Sequence, residues 1–398
     1  VWAVANPGAI VDFAYAGNHK TALVVKAIVR AFYGQAPKFS YFSGCSDGGR
    51  QGLEEAQRFP EDFDGIVAGS TTLDVVATNT VWHAWNVRVN SGADNMPVLT
   101  TDKIPMLARA VRDACAGPDG LIADARACRF DAHALVCKPG QSDASCLTAE
   151  QADVVTKIWD GPVDETGGHL FPGGLPRGSE LAWIGSMVPA AAGAPLGLAT
   201  SSDFQWSWDF PDFISAFGEI TGITNQNMKF TRAEFDTLNR LSGLFEPSDP
   251  DLSAFAARGG KLIMWHGWAD SGSAPLGSLN YFDAVHCAMG DEAARQTIAL
   301  YLAPGVYHCS AGPTPARADY LSPLIAWRED GTAPGAVTLS IETSPTDAAV
   351  TKTVILRPHT AQPEADRTEW VGLAHYKPGR ETWCLGKGAA IACEPKLE

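Results

Sequence analysis

The stretch Lys38–Phe59, KFSYFSGCSDGGRQGLEEAQRF, does more than any other to limit what this chain can fold into. Phe39, Tyr41 and Phe42 make a short apolar run of strand type, Gly44-Cys45-Ser46-Asp47-Gly48 follows, and Leu53, Ala56 and Phe59 then recur at helical spacing. A strand, a tight turn and a helix are the context in which G-x-S-x-G marks a nucleophilic serine and not an ordinary turn. We expect the turn to admit only glycine on either side of the serine, at Gly44 and Gly48, with strained backbone lifting the hydroxyl above the sheet edge. The amide of the next residue, Asp47, then faces a developing oxyanion.

Around this elbow the pattern alternates. Asp12–Tyr33 carries Ala22, Val24, Val25, Ile28, Val29 and Phe32 at helical spacing and stops at Gly34, and Phe63–Ala68 is a strand-type run ending at Gly69 and Ser70. Such alternation predicts an α/β fold with a doubly wound parallel sheet. From about Thr71 to Pro250 the composition shifts to Trp, Gly and Pro, with helical pieces at Lys103–Ala114, Thr148–Trp159 and Arg232–Leu241 and few strand signals. A stretch this long is an inserted domain, not a loop. The sheet resumes with Lys261–His266, a helix over Leu276–Met289, a strand over Thr297–Leu302 and a helix over Asp319–Trp327, and the tail adds Val337–Ile341 and Thr351–Leu356. The expected division is therefore 1–70 for the first part of the sheet domain, 71–250 for an inserted lid, and 251–398 for the remainder.

A net charge of -15 argues against nucleic acid or an anionic membrane as partner, and no apolar run approaches the length of a membrane span. The nine cysteines include three local pairs separated by loop residues: Cys115 with Cys128, Cys137 with Cys146, and Cys384 with Cys393. None has C-x-x-C form, so disulfides and an oxidising compartment, secreted or periplasmic, are expected in place of a zinc or redox site.

Two further loops follow strands of the resumed sheet, His266-Gly267-Trp268-Ala269-Asp270 and Pro304-Gly305-Val306-Tyr307-His308-Cys309. In an open α/β sheet the ligand crevice lies beyond the carboxyl ends of the strands, so Ser46, Asp270 and His308 should surface together. Their order, Ser then Asp then His, is that of α/β-hydrolases, with serine as nucleophile, histidine as base and aspartate orienting the imidazole. Asp283 and Asp291 compete for the acid and His266 and His286 for the base, but a loop position just past a strand favours Asp270 and His308. Cys45 precedes the serine and Cys309 follows the histidine. If Ser46 and His308 share a hydrogen bond, their neighbours come within disulfide range, and that link would clamp the two loops.

The pieces GCSDGGRQGL (Gly44–Leu53), HGWAD (His266–Asp270), PGVYHC (Pro304–Cys309) and ARACRFDAHALVC (Ala125–Cys137), with the C-terminal cysteine loop, resemble the tannase/feruloyl esterase family. The resemblance implies an α/β-hydrolase fold with a large inserted lid, a Ser46–His308–Asp270 triad, and disulfides Cys45–Cys309, Cys115–Cys128, Cys137–Cys146 and Cys384–Cys393. It implies ester hydrolysis on small aromatic acids without a cofactor for the chemistry. Feruloyl esters rank first, tannin or gallate esters second, terephthalate monoesters third, and a catalytically silent binding protein is the alternative of another class. The family's structural calcium maps onto a shortened loop, where Asp119 and the Leu121 carbonyl are the candidate ligands and other family aspartates have no equivalent. The second oxyanion donor maps upstream of Val1, so we expect it to lie outside this chain, as part of a missing N-terminal portion. Phe204–Phe213 is the candidate pocket wall, and Arg177 and Arg232 are the candidate partners for a substrate carboxylate.

Overall fold

The computed structural model describes residues 6–141, 143–215, 222–342, 351–361, 382–387 and 390–395. Its centre is a parallel sheet of β1 (Tyr41–Cys45), β2 (Gly65–Gly69), β3 (Lys261–Gly267) and β4 (Ile298–Ala303), in that spatial order. Parallel neighbours need long crossovers. Helix α1 (Gly17–Tyr33) precedes β1, α2 (Asp47–Arg58) joins β1 to β2, and α6 (Pro275–Met289) follows β3. Between β2 and β3 lie α3 (Ile104–Cys115), α4 (Ala149–Asp160) and α5 (Ser202–Ser215) with shorter helices and loops, and α7 (Leu321–Asp330) follows β4. An antiparallel sheet of β5 (Ala316–Ala318), β6 (Val337–Glu342) and β7 (Thr351–Leu356) completes this part.

Side chains alternate across a strand, so each strand feeds two cores. On one face Ile66, Leu262, Met264, Ile298 and Leu300 pack with Leu53 and Ala56 of α2 and Leu279, Phe282 and Val285 of α6. On the other, Val67, Ile263, Trp265, Ala299 and Tyr301 pack with Leu324 and Trp327 of α7 and with Val337, Leu339 and Ile341 of β6. A third core, including Trp82, Leu107, Val111, Val155, Ile158, Trp183 and Phe235, belongs to the chain between β2 and β3, joined by Ile10, Ala14 and Ala274. Helix α4 shows how local sequence sets an element there: Thr148 Oγ1 accepts from the Gln151 amide and Gln151 Oε1 from the Thr148 amide, and Gly161 (φ 83°) ends the helix.

Helix α1 forms as the spacing predicts, after a π-helical turn at Asp12–Ala16. Its apolar face differs from a core-facing one: Val24, Val25, Ile28 and Phe32 are 50–80% exposed, and Ala22 is buried. Strands Thr382–Lys387 and Ala390–Pro395 pair antiparallel with Cys384 opposite Cys393. Their side chains, and with them the expected fourth disulfide, lie outside the described residues.

Candidate active site

The elbow forms where β1 ends and α2 begins. Ser46 sits at φ 64°, ψ −120°, a strained conformation for a residue with a Cβ. It is pinned on both sides: its amide donates to the Gly69 carbonyl at 2.9 Å, and its carbonyl accepts from the Arg50 amide at 3.1 Å. A Cβ on Gly44 would stand 2.4 Å from the Gly48 carbonyl oxygen, so glycine is required before the serine as expected. After it the expectation shifts by one residue. Nothing lies within 4 Å of a Cβ on Gly48, whereas one on Gly49 would meet the Gly69 carbonyl oxygen at 2.6 Å. The crowding arises where α2 crosses the end of β2, not at the turn itself. Asp47 opens α2, and amides in a first helical turn have no partner within the helix, so this N–H is available to an anion.

The loops after β3 and β4 bring the other two candidates to the same place. Nε2 of His308 lies 2.8 Å from Oγ of Ser46, and its Nδ1 lies 3.0 Å from both oxygens of Asp270. An ionised carboxylate only accepts, so Nδ1 carries the proton and the Nε2 lone pair faces the serine hydroxyl. Asp270 is fully buried, and its Oδ1 accepts from the amides of Gly272 at 2.8 Å and Ser273 at 2.9 Å. Burial alone would raise the Asp270 carboxyl, but the facing His308 and the hydrogen bonds from His266 and His308 hold it below the ordinary carboxylate range. Burial likewise weakens His308 as a base, yet the Asp270 charge and hydrogen bond outweigh it and leave the imidazole above its ordinary value.

Of the competitors for these roles, His266 is buried behind the acid. Its Nε2 is 3.2 Å from Asp270 Oδ2 and from the Ser273 carbonyl, and its Nδ1 is 2.8 Å from Ser278 Oγ. The Nε2 proton thus points at the carboxylate, and Ser278 donates to Nδ1. Asp291 is engaged by His286, 2.9 Å from its Nδ1, which removes both from the constellation. Gly272 was not a sequence candidate. A Cβ there would lie 2.8 Å from Cγ of His308, so this residue borders the imidazole face.

Cys45 and Cys309 are bonded, with Cα atoms 5.8 Å apart across 264 residues. Cys309 and Ser310 take positive φ, 51° and 64°, and the Cys309 amide lies 3.4 Å from Ser70 Oγ. The turn after His308 is thus held by one covalent and one polar contact. Cys115–Cys128 and Cys137–Cys146 are also formed.

In the loop between Cys115 and Cys128, Asp119 Oδ1 accepts from the Leu121 amide at 3.1 Å, and the Leu121 carbonyl accepts from the Gly117 amide at 2.9 Å. Asp124 is held by the Arg126 guanidinium at 2.6–3.0 Å. Calcium takes six to eight oxygens. Asp119 and the Leu121 carbonyl, the candidate ligands, lie in one hydrogen-bonded turn. The candidate pocket wall is helical: Phe204 is buried against Val87 and Leu196 and stacks on Trp208, while Trp206 is 40% exposed. Arg232 is bound to the His169 carbonyl at 2.9 Å, and Arg177 to the Phe130 carbonyl at 3.1 Å, so both guanidinium groups are engaged within the chain between β2 and β3.

A family model described as "Tannase and feruloyl esterase" matches residues 1–372. The chain is 33% identical over 378 residues to a probable feruloyl esterase of Arthroderma benhamiae, covering 89% of this chain and 67% of that one. It is 32% identical over 377 residues to the mono(2-hydroxyethyl) terephthalate hydrolase of Piscinibacter sakaiensis, covering 83% and 61%. Among solved structures, an esterase from Aspergillus oryzae superposes with a TM-score of 0.74 at 25% identity, over 96% of this chain and 74% of that one. Feruloyl esterase B from the same species gives 0.73 at 23% identity, which supports the α/β-hydrolase fold. The chain spans 61–67% of the length of the two curated relatives. With the family model covering nearly all of it, this chain belongs to the tannase and feruloyl esterase family, a family of carboxylic ester hydrolases.

Proposed function

We propose that the chain hydrolyses esters of small aromatic acids, feruloyl esters first, through Ser46, His308 and Asp270. The observation that carries this reading is the continuous hydrogen-bond chain from Ser46 Oγ through the His308 ring to buried Asp270. In the first half-reaction His308 Nε2 takes the serine proton as Oγ bonds to the ester carbonyl carbon. The negative charge formed on the carbonyl oxygen is met by the Asp47 amide. Collapse breaks the ester bond, His308 returns the proton to the leaving alkoxide, and an acyl-serine remains. Water then repeats the sequence and releases the acid. Residues 71–250 serve as the lid that supplies the acid pocket, and the three disulfides support a secreted or periplasmic enzyme. Among the described residues no helix is long and apolar enough to cross a membrane.

The test is a hydrolysis panel of methyl ferulate, methyl gallate and a terephthalate monoester, with p-nitrophenyl acetate as a generic ester. Fastest kcat/KM on the ferulate supports the proposal. Turnover of the acetate alone overturns the aromatic class, and no turnover together with no fluorophosphonate labelling leaves a silent hydrolase fold.

Two consequences of the geometry are measurable. His308 must be neutral to accept the serine proton, and its imidazole sits above the ordinary histidine value. Activity is therefore lost as pH falls through that raised value, and the acid limb of a kcat/KM profile should lie above about 6.5. Asp270 stays ionised across this range because its carboxyl is held down, so Asp270→Asn should move the limb to lower pH and remove most of the rate. Separately, Gly272→Ala should push the imidazole off its line, since the new methyl meets His308 Cγ at 2.8 Å. A displacement of this size costs roughly 10–10²-fold in kcat. Unchanged kcat in Gly272→Ala would mean that the histidine does not act from this position.

A further inference from the structure

Away from the triad, helix α2 ends in a second group of chemistry-bearing side chains. Glu54 and Glu55 are both buried on its last turns, but their surroundings differ. Glu54 Oε2 accepts from Nε of Arg58. Glu55 is 1% exposed, and its carboxyl faces that of Asp62, with no N–H or hydroxyl donor on either of its oxygens. Two buried carboxyl groups side by side are costly when both are ionised and call for a shared proton or a counter-charge. Two other ligating side chains converge there. Asp62, 2% exposed, comes from the loop between α2 and β2, and His19 from the first turn of α1. One nitrogen or oxygen from each of His19, Glu55 and Asp62 lies within 4.8 Å of the other two.

The surroundings suit a fixed site with an entry path. The His19 ring lies flat on Phe59, with centroids 3.9 Å apart, and its side chain is 26% exposed, so the cluster opens to solvent on the imidazole side alone of the three. His19 Nδ1 faces Asp62 Oδ2 at 2.5 Å. Lys26 bonds the main-chain oxygen of Asp62 and stands 3.9 Å from Oδ1, which leaves Oδ2 to the imidazole.

We infer that His19, Glu55 and Asp62 form a site for a divalent transition-metal ion, Zn²⁺ by preference, that ties α1 to the end of α2. One imidazole nitrogen and two carboxylates are the ligand chemistry of Zn²⁺, with water as a fourth ligand, and too few oxygens for Ca²⁺. Binding replaces the His19–Asp62 hydrogen bond with two metal bonds and gives the two facing carboxylates a counter-charge. Neutral imidazole and ionised carboxylates are the binding forms, so any proton held in the cluster leaves to solvent as the ion enters. The cluster contains none of Ser46, Asp270 and His308, so this inference stands independently of the proposed function.

The test uses the whole chain, stripped with a chelator and dialysed, titrated with Zn²⁺ by calorimetry and with Co²⁺ by visible absorption. We expect one saturable Zn²⁺ per chain, a melting temperature that rises with Zn²⁺, and the intense d–d bands of low-coordinate Co²⁺. Loss of a ligand exceeds the 10–100-fold typical of an outer-shell change, so Glu55→Gln and His19→Ala should each weaken Zn²⁺ by roughly 10²-fold or more. His19→Ala, at a part-exposed position, retains the fold if Glu55→Gln does not. Zn²⁺ binding that is unchanged in His19→Ala overturns the inference and points to a surface set such as His133 with Asp131 and Asp153. So does a wild type indifferent to Zn²⁺ whose Glu55→Gln variant melts higher, which would mean that Glu55 and Asp62 merely share a proton.

Discussion

Ser46→Ala should leave a folded protein that no longer turns over esters, with kcat lower by roughly 10⁴–10⁶-fold. The substitution removes the oxygen that faces His308 Nε2 at 2.8 Å and nothing from the core. Alanine has the same Cβ as serine, so the strained φ of 64° costs the variant no more than the wild type, and the melting temperature should stay within the change expected of about 1 kcal/mol. A fluorophosphonate should label the wild type once per chain and the variant not at all. Because members of a triad act as a unit, Ser46→Ala combined with His308→Ala should be scarcely slower than either alone. Retention of more than a tenth of the wild-type kcat in Ser46→Ala would place the nucleophile elsewhere and end the esterase reading for this site.

The second large effect belongs to the disulfide beside the proposed triad. Cys45 and Cys309 flank Ser46 and His308, and their bond closes 264 residues of chain. A loop that long removes more unfolded-state freedom than any local link, and its loss should cost about 2–5 kcal/mol. Catalysis should suffer as well. Cys309 and Ser310 are held at positive φ, and without the link the turn that carries His308 is free to relax toward commoner backbone angles. We expect the Cys45→Ala/Cys309→Ala variant to lose roughly 10²-fold in kcat, with KM less affected, because the defect lies in aligning base and nucleophile. The control is Cys137→Ala/Cys146→Ala, whose cysteines are only 9 residues apart: it should lower the denaturant midpoint less and spare kcat. A doubly substituted protein with full kcat would show that packing alone aligns the pair.

Much of this site could be read from residue order. The elbow announces itself because strand, turn and helix are each local patterns, and Asp270 and His308 follow runs of buried-strand type. The adjacency of Cys45 to Ser46 and of Cys309 to His308 turns one spatial expectation into two, and both distances are short in the structure. What residue order does not carry is non-local. That Gly49 and not Gly48 is the crowded glycine depends on how α2 crosses β2, and Gly272 matters only because a loop 36 positions later brings an imidazole against it. His266 looked like a rival base, and only packing makes it a donor to the acid.

By itself, then, the amino-acid order determined the alternation of helix and strand, the serine elbow, the sequence of the three candidate residues and the cysteines beside them. Hydrophobic periodicity and turn chemistry are set within a dozen residues and need no distant partner. Only the tertiary structure decided which histidine serves Ser46 and which backs Asp270, where glycine is sterically required, and that Glu55, His19 and Asp62 meet. Those facts are contacts between segments brought together by packing across the sheet and its helices, and side-chain identity carries no record of the distance between them.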